Sequence, residues 1–309
     1  MKELIIIGAG PAGLTASIYG IRAGLDLAVL EKLSPGGQVM NTYEVENYPG
    51  FPEPVAGWEL MSRMEEQAKR LGAEIISGEV SSVEKGPDGI FRIRLADGSE
   101  LTSTAVISAT GASFKKLGIP GEKEFTGRGV SYCATCDAAF FREKTTAVIG
   151  GGDVALEEAH FLSRFSSRVY LIHRRDAFRG TKILQERVFS CGKITPVYDT
   201  VVESINGGAK VENLSLKNVK TGGSSVMAVD GVFIFIGHDA NTCYLPADVL
   251  GDNGEVLVDM KMRTPVDGLF AAGDMRVGSR RQIVNAAADG ASAAMSADEY
   301  ISAAARNYC

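Results

Sequence analysis

Residues 4–13 read LIIIGAGPAG, a run of branched apolar residues that leads directly into a glycine-rich turn. The apolar run predicts a buried strand, a helical stretch follows the turn, and residues 27–31 predict a second strand. In a β-α-β opening of this kind, Gly8 forms the tight turn, Gly10 lets the backbone approach a pyrophosphate, and Gly13 allows the helix to pack closely on the strand. The stretch therefore predicts a Rossmann-like dinucleotide-binding domain.

A second stretch repeats this pattern in the middle of the chain. An apolar run ends in GGGDVA at residues 150–155, and a helical stretch and another strand follow. The spacing from Gly8 to Glu31 is 23 residues, and so is the spacing from Gly150 to His173 (31 − 8 and 173 − 150). A chance glycine motif would not carry its flanking elements at a matched spacing, so we expect two nucleotide domains of one type.

The two stretches differ where the second strand ends. The first has Glu31, whose carboxylate can accept hydrogen bonds from the free hydroxyls of a ribose. The second has a histidine followed by arginines, and guanidinium groups attract a 2′-phosphate that a carboxylate would repel. We therefore expect NADPH at the second stretch, with contacts at Gly150, Gly152, Asp153, Val154, His173, Arg174, Arg175 and Arg179.

The end of the chain is expected to return to the first domain. An apolar run over residues 268–272 ends at Gly273 and Asp274, and an alanine-rich helical stretch begins at Ile283. The predicted fold is α/β, with two Rossmann-like domains of which the second is inserted into the first. The expected boundaries are 1–115 with 246–309 for the first domain and 116–245 for the second, with crossings near 112–120 and 240–248.

Composition narrows the function classes. A net charge of −6 argues against nucleic-acid binding, which usually requires a basic patch. There is no apolar run of about 18 residues or more, so no membrane span is expected. The N-terminal apolar run is too short for a signal peptide, and five cysteines in 309 residues are too few for a disulfide scaffold. We expect a cytoplasmic protein.

Cys133 and Cys136 lie between the two glycine stretches. A structural disulfide is unusual in the cytosol, and a zinc site needs two further ligands, whereas the remaining cysteines and histidines are scattered. We therefore expect no metal. A redox pair fits best, because cysteines with two residues between them can close a reversible disulfide. Asp137 follows directly and is a candidate proton donor to a departing thiolate, with a helix cap as the alternative.

With these motifs the chain resembles low-molecular-weight thioredoxin reductases over essentially all of its 309 residues. The resemblance begins with the glycine stretch that includes Gly8, Gly10, Pro11, Ala12 and Gly13. The other motifs that carry it are GGQ at 36–38, EVENYPG at 44–50, ATG at 109–111, CATCD at 133–137, GGGDVA at 150–155, HRRDAFR at 173–179, TPVDGLFAAGD at 264–274 and RQ at 281–282.

The resemblance implies a homodimeric FAD enzyme that uses NADPH to reduce thioredoxin, with FAD in the first domain. It implies that Cys136 lies against the flavin, that Cys133 attacks thioredoxin, and that Asp137 is the acid. It also implies that the NADPH domain rotates, so that nicotinamide and dithiol take turns at the flavin. The expected FAD contacts are Gly8, Gly10, Pro11, Ala12, Gly13, Glu31, Gly36, Gly37, Gln38, Asn47, Gly111, Gly273, Asp274, Arg281, Gln282 and Ile283.

Some positions depart from the family pattern. Val154 stands where Ser or Thr is common, Arg280 stands where Tyr is often found, and residues 138–139 are both alanine. Residues 285–290 lack one expected glycine. Two alternatives are a related flavin dithiol enzyme with another disulfide acceptor, and a nucleotide-sensing or zinc-binding module without turnover. A flavin spectrum that NADPH bleaches would decide against the second alternative.

Overall fold

The computed structural model describes residues 1–41, 45 and 47–306, without the side chains of Asn41, Thr135, Cys136, Ala305 and Arg306. Glu44 and Glu46 of the predicted motif at 44–50, and the terminal Cys309, lie outside the described residues. The chain divides into unit 1, which contains Met1–Ser113 and Asp239–Cys309, and unit 2, which contains Phe114–His238.

The second crossing lies earlier in the chain than the boundary that we expected at residue 246. Residues after His238 belong to unit 1 because their side chains pack there. The Asn241 side chain donates to the Thr110 carbonyl oxygen at 2.8 Å. Tyr244 is buried in the core that contains Ile5 and Ile7, and its hydroxyl hydrogen bonds to Ser108.

Unit 1 is built on a sheet whose central strands are the apolar runs of the sequence. Strand β1 (Lys2–Ile7) pairs in parallel with β2 (Leu27–Glu31), with Leu4 opposite Leu27. The other strands of this sheet are β3 (Glu74–Ser77), β4 (Val80–Lys85), β5 (Phe91–Leu95), β6 (Glu100–Ser108) and β17 (Leu269–Ala271). The sheet order is β3-β2-β1-β6-β5-β4, and β17 lies beside the second half of β6.

Two helices from opposite ends of the chain pack together in unit 1. Helix α1 (Pro11–Arg22) follows the first glycine turn, and α6 (Ile283–Arg306) is the alanine-rich C-terminal helix. Gly290 on α6 allows their close approach, because a Cβ there would lie 2.1 Å from the Ala12 carbonyl oxygen. The third helix of the unit is α2 (Gly57–Arg70).

Unit 2 repeats the arrangement on a smaller scale. Its five-stranded parallel sheet has the order β11-β10-β9-β15-β8, with strands β8 (Val130–Ser131), β9 (Thr145–Gly150), β10 (Arg168–Ile172), β11 (Ile194–Val197) and β15 (Gly231–Phe235). Its helices are α3 (Ala134–Asp137), α4 (Asp153–Leu162) and α5 (Lys182–Ser190). An antiparallel sheet contains β12 (Thr200–Gly207), β13 (Val211–Asn218) and β14 (Ser224–Ala228).

Two further short strands, β7 (Ala112–Phe114) and β16 (His238–Ala240), contain the crossings of the chain and pair with each other. Within the described ranges, no helix is long and apolar enough to span a membrane.

Candidate active site

In the first glycine turn, two glycines are needed for close packing, and a third lies at an open space that a ligand could occupy. A Cβ at Gly8 would lie 2.5 Å from the Ala109 carbonyl oxygen, and one at Gly13 would lie 1.7 Å from the Gly8 carbonyl oxygen. A Cβ at Gly10 would meet no described atom within 4 Å. Gly8 and Gly13 are therefore required by the protein's own packing, whereas the space in front of Gly10 is what the pyrophosphate of a dinucleotide needs.

The start of α1 leaves backbone donors for an anion. Gly10 is the N-cap and makes no side-chain cap, and Pro11 occupies the first helical position, where a missing N–H costs nothing. The buried Ala12 follows. Free N–H groups at a helix N-terminus, together with the helix dipole, attract phosphate.

Glu31 has a role in the turn that the sequence did not indicate. Its two carboxylate oxygens accept the backbone N–H groups of Ala9 at 2.8 Å and Leu33 at 2.9 Å. These bonds hold the carboxylate at the strand end beside the glycine turn. Each carboxylate oxygen has a second lone pair, so the predicted acceptance from ribose hydroxyls is compatible with this geometry.

The glycines at 36 and 37 are brought onto the same turn. The Gly36 N–H donates to the Ala9 carbonyl at 2.8 Å, and a Cβ at Gly37 would lie 3.5 Å from the Cα of Gly10. The next residue, Gln38, is exposed. The segment therefore forms a second wall beside Gly10.

Gly273, the residue before Asp274, lies beside α1 and is bonded to a buried aspartate that forms an ion pair. Asp289 on α6 accepts the Gly273 N–H at 3.2 Å and binds Arg276 through two bonds of 2.6 and 2.8 Å. A Cβ at Gly273 would lie 3.1 Å from the Cβ of Ala12. Burial raises the pKa of Asp274, although the charge of Arg281 opposes this rise.

Of the remaining predicted FAD contacts, Asn47 and Gln282 meet each other, and the others contact residues that we did not predict. The Asn47 side chain donates to the side-chain oxygen of Gln282 at 3.0 Å, although 235 positions separate them. Arg281 has a positive φ of 53° and binds Glu255 at 2.9 Å. Ile283 packs against a small cluster that contains Val45, Val55 and Leu60, and Gly111 accepts the Asn241 N–H at 3.0 Å.

These residues fit an FAD molecule on physical grounds. An open glycine, an uncapped helix start, an acid at the strand end and a half-buried acid are gathered in one unit from both ends of the chain. When bound there, FAD would have its pyrophosphate at Gly10 and ribose hydroxyls within reach of Glu31.

The second glycine turn has the same construction in unit 2. A Cβ at Gly150 would lie 2.4 Å from the Phe235 carbonyl oxygen, whereas one at Gly152 would meet no described atom within 4 Å. Gly152 is the N-cap of α4 and, like Gly10, makes no side-chain cap. Gly151 is required for another reason, because a Cβ there would lie 2.3 Å from the ring of His173.

The predicted phosphate contacts divide between buried and exposed positions. His173 is buried and hydrogen bonds to Gly150; burial lowers its pKa, and the positive charges of Arg179, Arg175 and Arg174 lower it further. The ring is therefore neutral at pH 7. The three arginines are exposed and close enough to act on it, so they form a positive cluster beside the turn, as an NADPH 2′-phosphate requires.

The arginine loop is tied back to the glycine turn. The N–H of Arg179 donates to the Gly151 carbonyl at 2.7 Å, and the Asp153 carboxylate accepts the Thr181 N–H at 2.6 Å. The predicted contact Val154 is exposed at the start of α4. The turn and the arginines therefore belong to one surface of unit 2.

The redox segment begins α3 in the same unit. Cys133 is half-buried and disulfide-bonded, and it directly precedes the single helical turn that contains Cys136 and Asp137. The side chain of Cys136 lies outside the described residues, and Asp137 is half-buried. Ser131 fixes the backbone before the helix, since its hydroxyl accepts the Cys133 N–H at 3.0 Å.

Comparison with known proteins identifies the family. The family profile described as pyridine nucleotide-disulphide oxidoreductase matches residues 2–290. The chain belongs to this family. It is 46% identical over 299 residues to a thioredoxin reductase of Treponema pallidum, with 97% of each chain covered. It is 45% identical over 301 residues to a thioredoxin reductase of Bacillus subtilis, with 97% of this chain and 94% of the relative covered.

A solved structure of the Lactococcus lactis thioredoxin reductase has a TM-score of 0.87 and 42% identity, and covers 98% of this chain and 99% of its own. The comparisons confirm the predicted family, the fold with two Rossmann-like domains, and the assignment as a flavoprotein oxidoreductase with FAD and NADPH. The roles of individual residues remain proposals.

Sequence reasoning missed two acids that the fold brings to these sites. Asp289 supports Gly273, and Glu158 on α4 bonds to the backbone at Ala134, directly after Cys133. The sequence offers only weak signals for them. Asp289 is an acid in a helical stretch of small residues, and Glu158 is the second of two adjacent acids. Their partners are remote in sequence, so periodicity cannot find them.

Proposed function

We propose that this protein is a thioredoxin reductase, which converts NADPH, a proton and the disulfide of thioredoxin into NADP⁺ and the dithiol. The observation that carries the proposal is that a disulfide-bonded cysteine, Cys133, directly precedes α3 in the same unit as the arginine-lined glycine turn. The relatives bear this name over 97% of the chain, which favours thioredoxin over another disulfide carrier.

In this proposal unit 1 is the FAD-binding domain and unit 2 is the NADPH-binding domain. The helix start at Gly10 binds the FAD pyrophosphate, while Glu31 and Asp274 orient the ribose and the ribityl chain. The helix start at Gly152 binds the NADPH pyrophosphate, and the arginine cluster selects the 2′-phosphate. When bound, FAD would supply the redox chemistry that passes two electrons from the hydride donor NADPH to a disulfide.

The redox steps on the chain follow from thiol–disulfide exchange. Cys136 is the partner of Cys133 in the disulfide, which two electrons and two protons convert into two thiols. The Cys133 thiolate attacks one sulfur of thioredoxin and forms a mixed disulfide, and one thioredoxin sulfur leaves as a thiolate. The Cys136 thiolate then attacks Cys133, closes the internal disulfide and releases the second thioredoxin thiolate. Asp137 donates a proton to a departing thiolate.

The active form is a homodimer in the cytoplasm. Gel filtration with light scattering measures the molar mass in solution and so tests the dimer. A monomer mass at enzyme concentrations that support full turnover contradicts it.

The function is tested by NADPH oxidation with thioredoxin as acceptor. The purified protein should be yellow and should reduce thioredoxin, and Cys133→Ser should lose this activity. Cys191→Ser is the matched control, because Cys191 is a free, half-buried cysteine in the same unit and should be replaceable. Thioredoxin reduction by Cys133→Ser at the wild-type rate would remove the dithiol mechanism.

A further inference from the structure

A lysine outside the arginine loop of unit 2 is bound to the acid within that loop. The loop, residues 174–179, follows β10 and has Asp176 directly after Arg174 and Arg175. Lys220 lies in the turn between β13 and β14, and its ammonium group donates to the Asp176 carboxylate at 3.2 Å. The same ammonium group lies 3.2 Å from a carboxylate oxygen of Asp199. Lys220 thus bridges two acids from separate segments of unit 2.

The position of Lys220 is fixed by the turn that contains it. The Asn218 side chain accepts the backbone N–H groups of Lys220 at 3.0 Å and Thr221 at 2.9 Å. The N–H of Val219 donates to the Asp199 carbonyl oxygen at 2.6 Å. These bonds hold the turn against the segment between β11 and β12, so the ammonium group meets the arginine loop from an ordered backbone.

Asp199 joins this turn to the backbone of the arginine loop. It has a positive φ of 51°, a conformation that is uncommon outside glycine and that aspartate adopts more readily than most residues. Its N–H donates to the Arg175 carbonyl oxygen at 3.1 Å, and its side chain is only 19% exposed. Such a conformation persists where the surroundings fix it, and the bonds to Arg175, Val219 and Lys220 do so here.

The ion pair leaves the arginines without an acid partner. Among the residues that the structure describes, no ion pair joins Arg174, Arg175 or Arg179 to a carboxylate. The hydrogen bond from Lys220 lowers the pKa of Asp176, so this acid is charged at neutral pH. Carboxylate and phosphate oxygens bind a guanidinium group in the same bidentate way. An unpaired Asp176 would therefore compete with a 2′-phosphate for the arginines beside it.

We propose that Lys220 is a specificity-determining residue for the nucleotide, because it binds Asp176 and thereby keeps the neighbouring arginines available for a 2′-phosphate. Lys220 acts through Asp176 and is a positioning residue, not a contact of the nucleotide. The inference rests on the proposed binding of NADPH by unit 2, and it names the group that protects the phosphate site from the acid in its own loop.

The test measures nucleotide binding by the FAD-containing enzyme, without turnover. Isothermal titration calorimetry gives the dissociation constants of NADP⁺ and NAD⁺ for the wild type, Lys220→Met, Lys220→Arg, Asp176→Asn, and Lys220→Met combined with Asp176→Asn. Lys217→Met is the matched control, because Lys217 is an exposed lysine of β13 whose partner is Glu203 at 3.7 Å. It removes the same charge from the same hairpin but leaves Asp176 paired.

Lys220→Met should weaken NADP⁺ binding about three- to fivefold, the range that an exposed ion pair supports, and should change NAD⁺ binding less than about twofold. Lys220→Arg should keep NADP⁺ binding within about twofold of the wild type, because a guanidinium group can also bind the Asp176 carboxylate. Asp176→Asn alone should not weaken NADP⁺ binding, and in its presence Lys220→Met should lose most of its effect. Lys217→Met should change NADP⁺ binding less than about twofold, because exposed charges that are not in contact are screened by salt.

The inference is overturned if Lys220→Met binds NADP⁺ like the wild type or like Lys217→Met. An equal loss of NADP⁺ and NAD⁺ affinity overturns it as well, since the 2′-phosphate would not be involved. An equal loss with and without Asp176→Asn shows that Lys220 does not act through Asp176, which also overturns it. If the wild type binds NADP⁺ no more tightly than NAD⁺, the proposed nucleotide site fails and the inference fails with it. If the selectivity shifts as expected in a protein that does not reduce thioredoxin, the proposed function fails and this inference stands.

Discussion

Alanine substitutions at Gly10 and Gly13 should separate cofactor binding from folding. Gly10 has φ −77° and ψ −172°, an extended backbone that alanine readily adopts, and a Cβ there would meet no described atom within 4 Å. Gly10→Ala should therefore leave the FAD-free protein as stable as the wild type, or up to about 1 kcal/mol more stable, because alanine restricts the unfolded chain. The same Cβ occupies the approach of the FAD pyrophosphate, so flavin retention should be lost.

Gly13→Ala should have the opposite pattern. Its Cβ would lie 1.7 Å from the Gly8 carbonyl oxygen, a backbone atom that no side-chain rotation can remove from the contact. Relief requires α1 to shift away from β1, which we expect to cost about 1–3 kcal/mol or more. At about 2–4 °C per kcal/mol for a domain of this size, the melting temperature of the FAD-free protein should fall by at least about 2 °C.

The assay measures both quantities on the same preparations. Flavin absorbance relative to protein absorbance gives retention, and circular dichroism of the FAD-stripped proteins gives the melting temperature. Wild-type flavin content in Gly10→Ala would refute the assignment of the open space to the pyrophosphate. Equal melting temperatures for FAD-stripped Gly13→Ala and wild type would refute the packing argument independently.

Three further predictions concern charged groups. Replacing Arg174 and Arg175 with Ala should raise the KM for NADPH more than tenfold and barely change that for NADH, because each charge-assisted hydrogen bond contributes about 1.5–3 kcal/mol; an equal change with both nucleotides contradicts this. Arg276→Met should destabilise the protein by about 3–5 kcal/mol in urea unfolding, since it leaves the charge of Asp289 buried without its cation; adding Asp289→Leu should recover part of the loss, because it also removes the acceptor of the Gly273 N–H, and additive effects contradict the pairing. Burial raises the pKa of Asp274 above its unfolded value, so stability falls as pH rises between the two values. Asp274→Asn should therefore stabilise the FAD-free protein at neutral pH but not below the unfolded pKa, while weakening FAD retention; an unchanged unfolding midpoint at neutral pH contradicts this.

The local sequence pattern was sufficient to predict the strand and the helix that form the glycine turn of each unit. The apolar run that ends before Gly8 forms β1, and the helical stretch after it forms α1, since both depend on near neighbours in sequence. The two glycine turns could be predicted because glycine spacing is a local feature, whereas the assignment of one turn to FAD and the other to NADPH stays a prediction. The inserted topology also follows from the order of these motifs.

Long-range side-chain partners could not be predicted in this way. The sequence indicates a ribose contact for Glu31 but not its two bonds to backbone N–H groups. It groups His173 with the arginines, whereas the structure buries its ring against Gly151. It gives no indication that Glu158 meets the redox helix, since that contact depends on how closely α3 and α4 pack. Each of these contacts joins segments that are far apart in sequence, and hydrophobic periodicity carries no information about such contacts.

The two turns share one more property, which leaves backbone donors available for the predicted ligands. A helix usually begins with a Ser, Thr, Asp or Asn whose side chain accepts a free N–H group, and losing such a cap costs about 1 kcal/mol. Both α1 and α4 instead begin at a glycine, Gly10 or Gly152, in an extended conformation without a side-chain cap. The protein thus lacks a stabilising side-chain cap twice, at matched positions, as the predicted anion sites require. Because the donors are equivalent, they cannot distinguish the two nucleotides, and that choice must come from the strand ends, where one unit has Glu31 and the other its arginines.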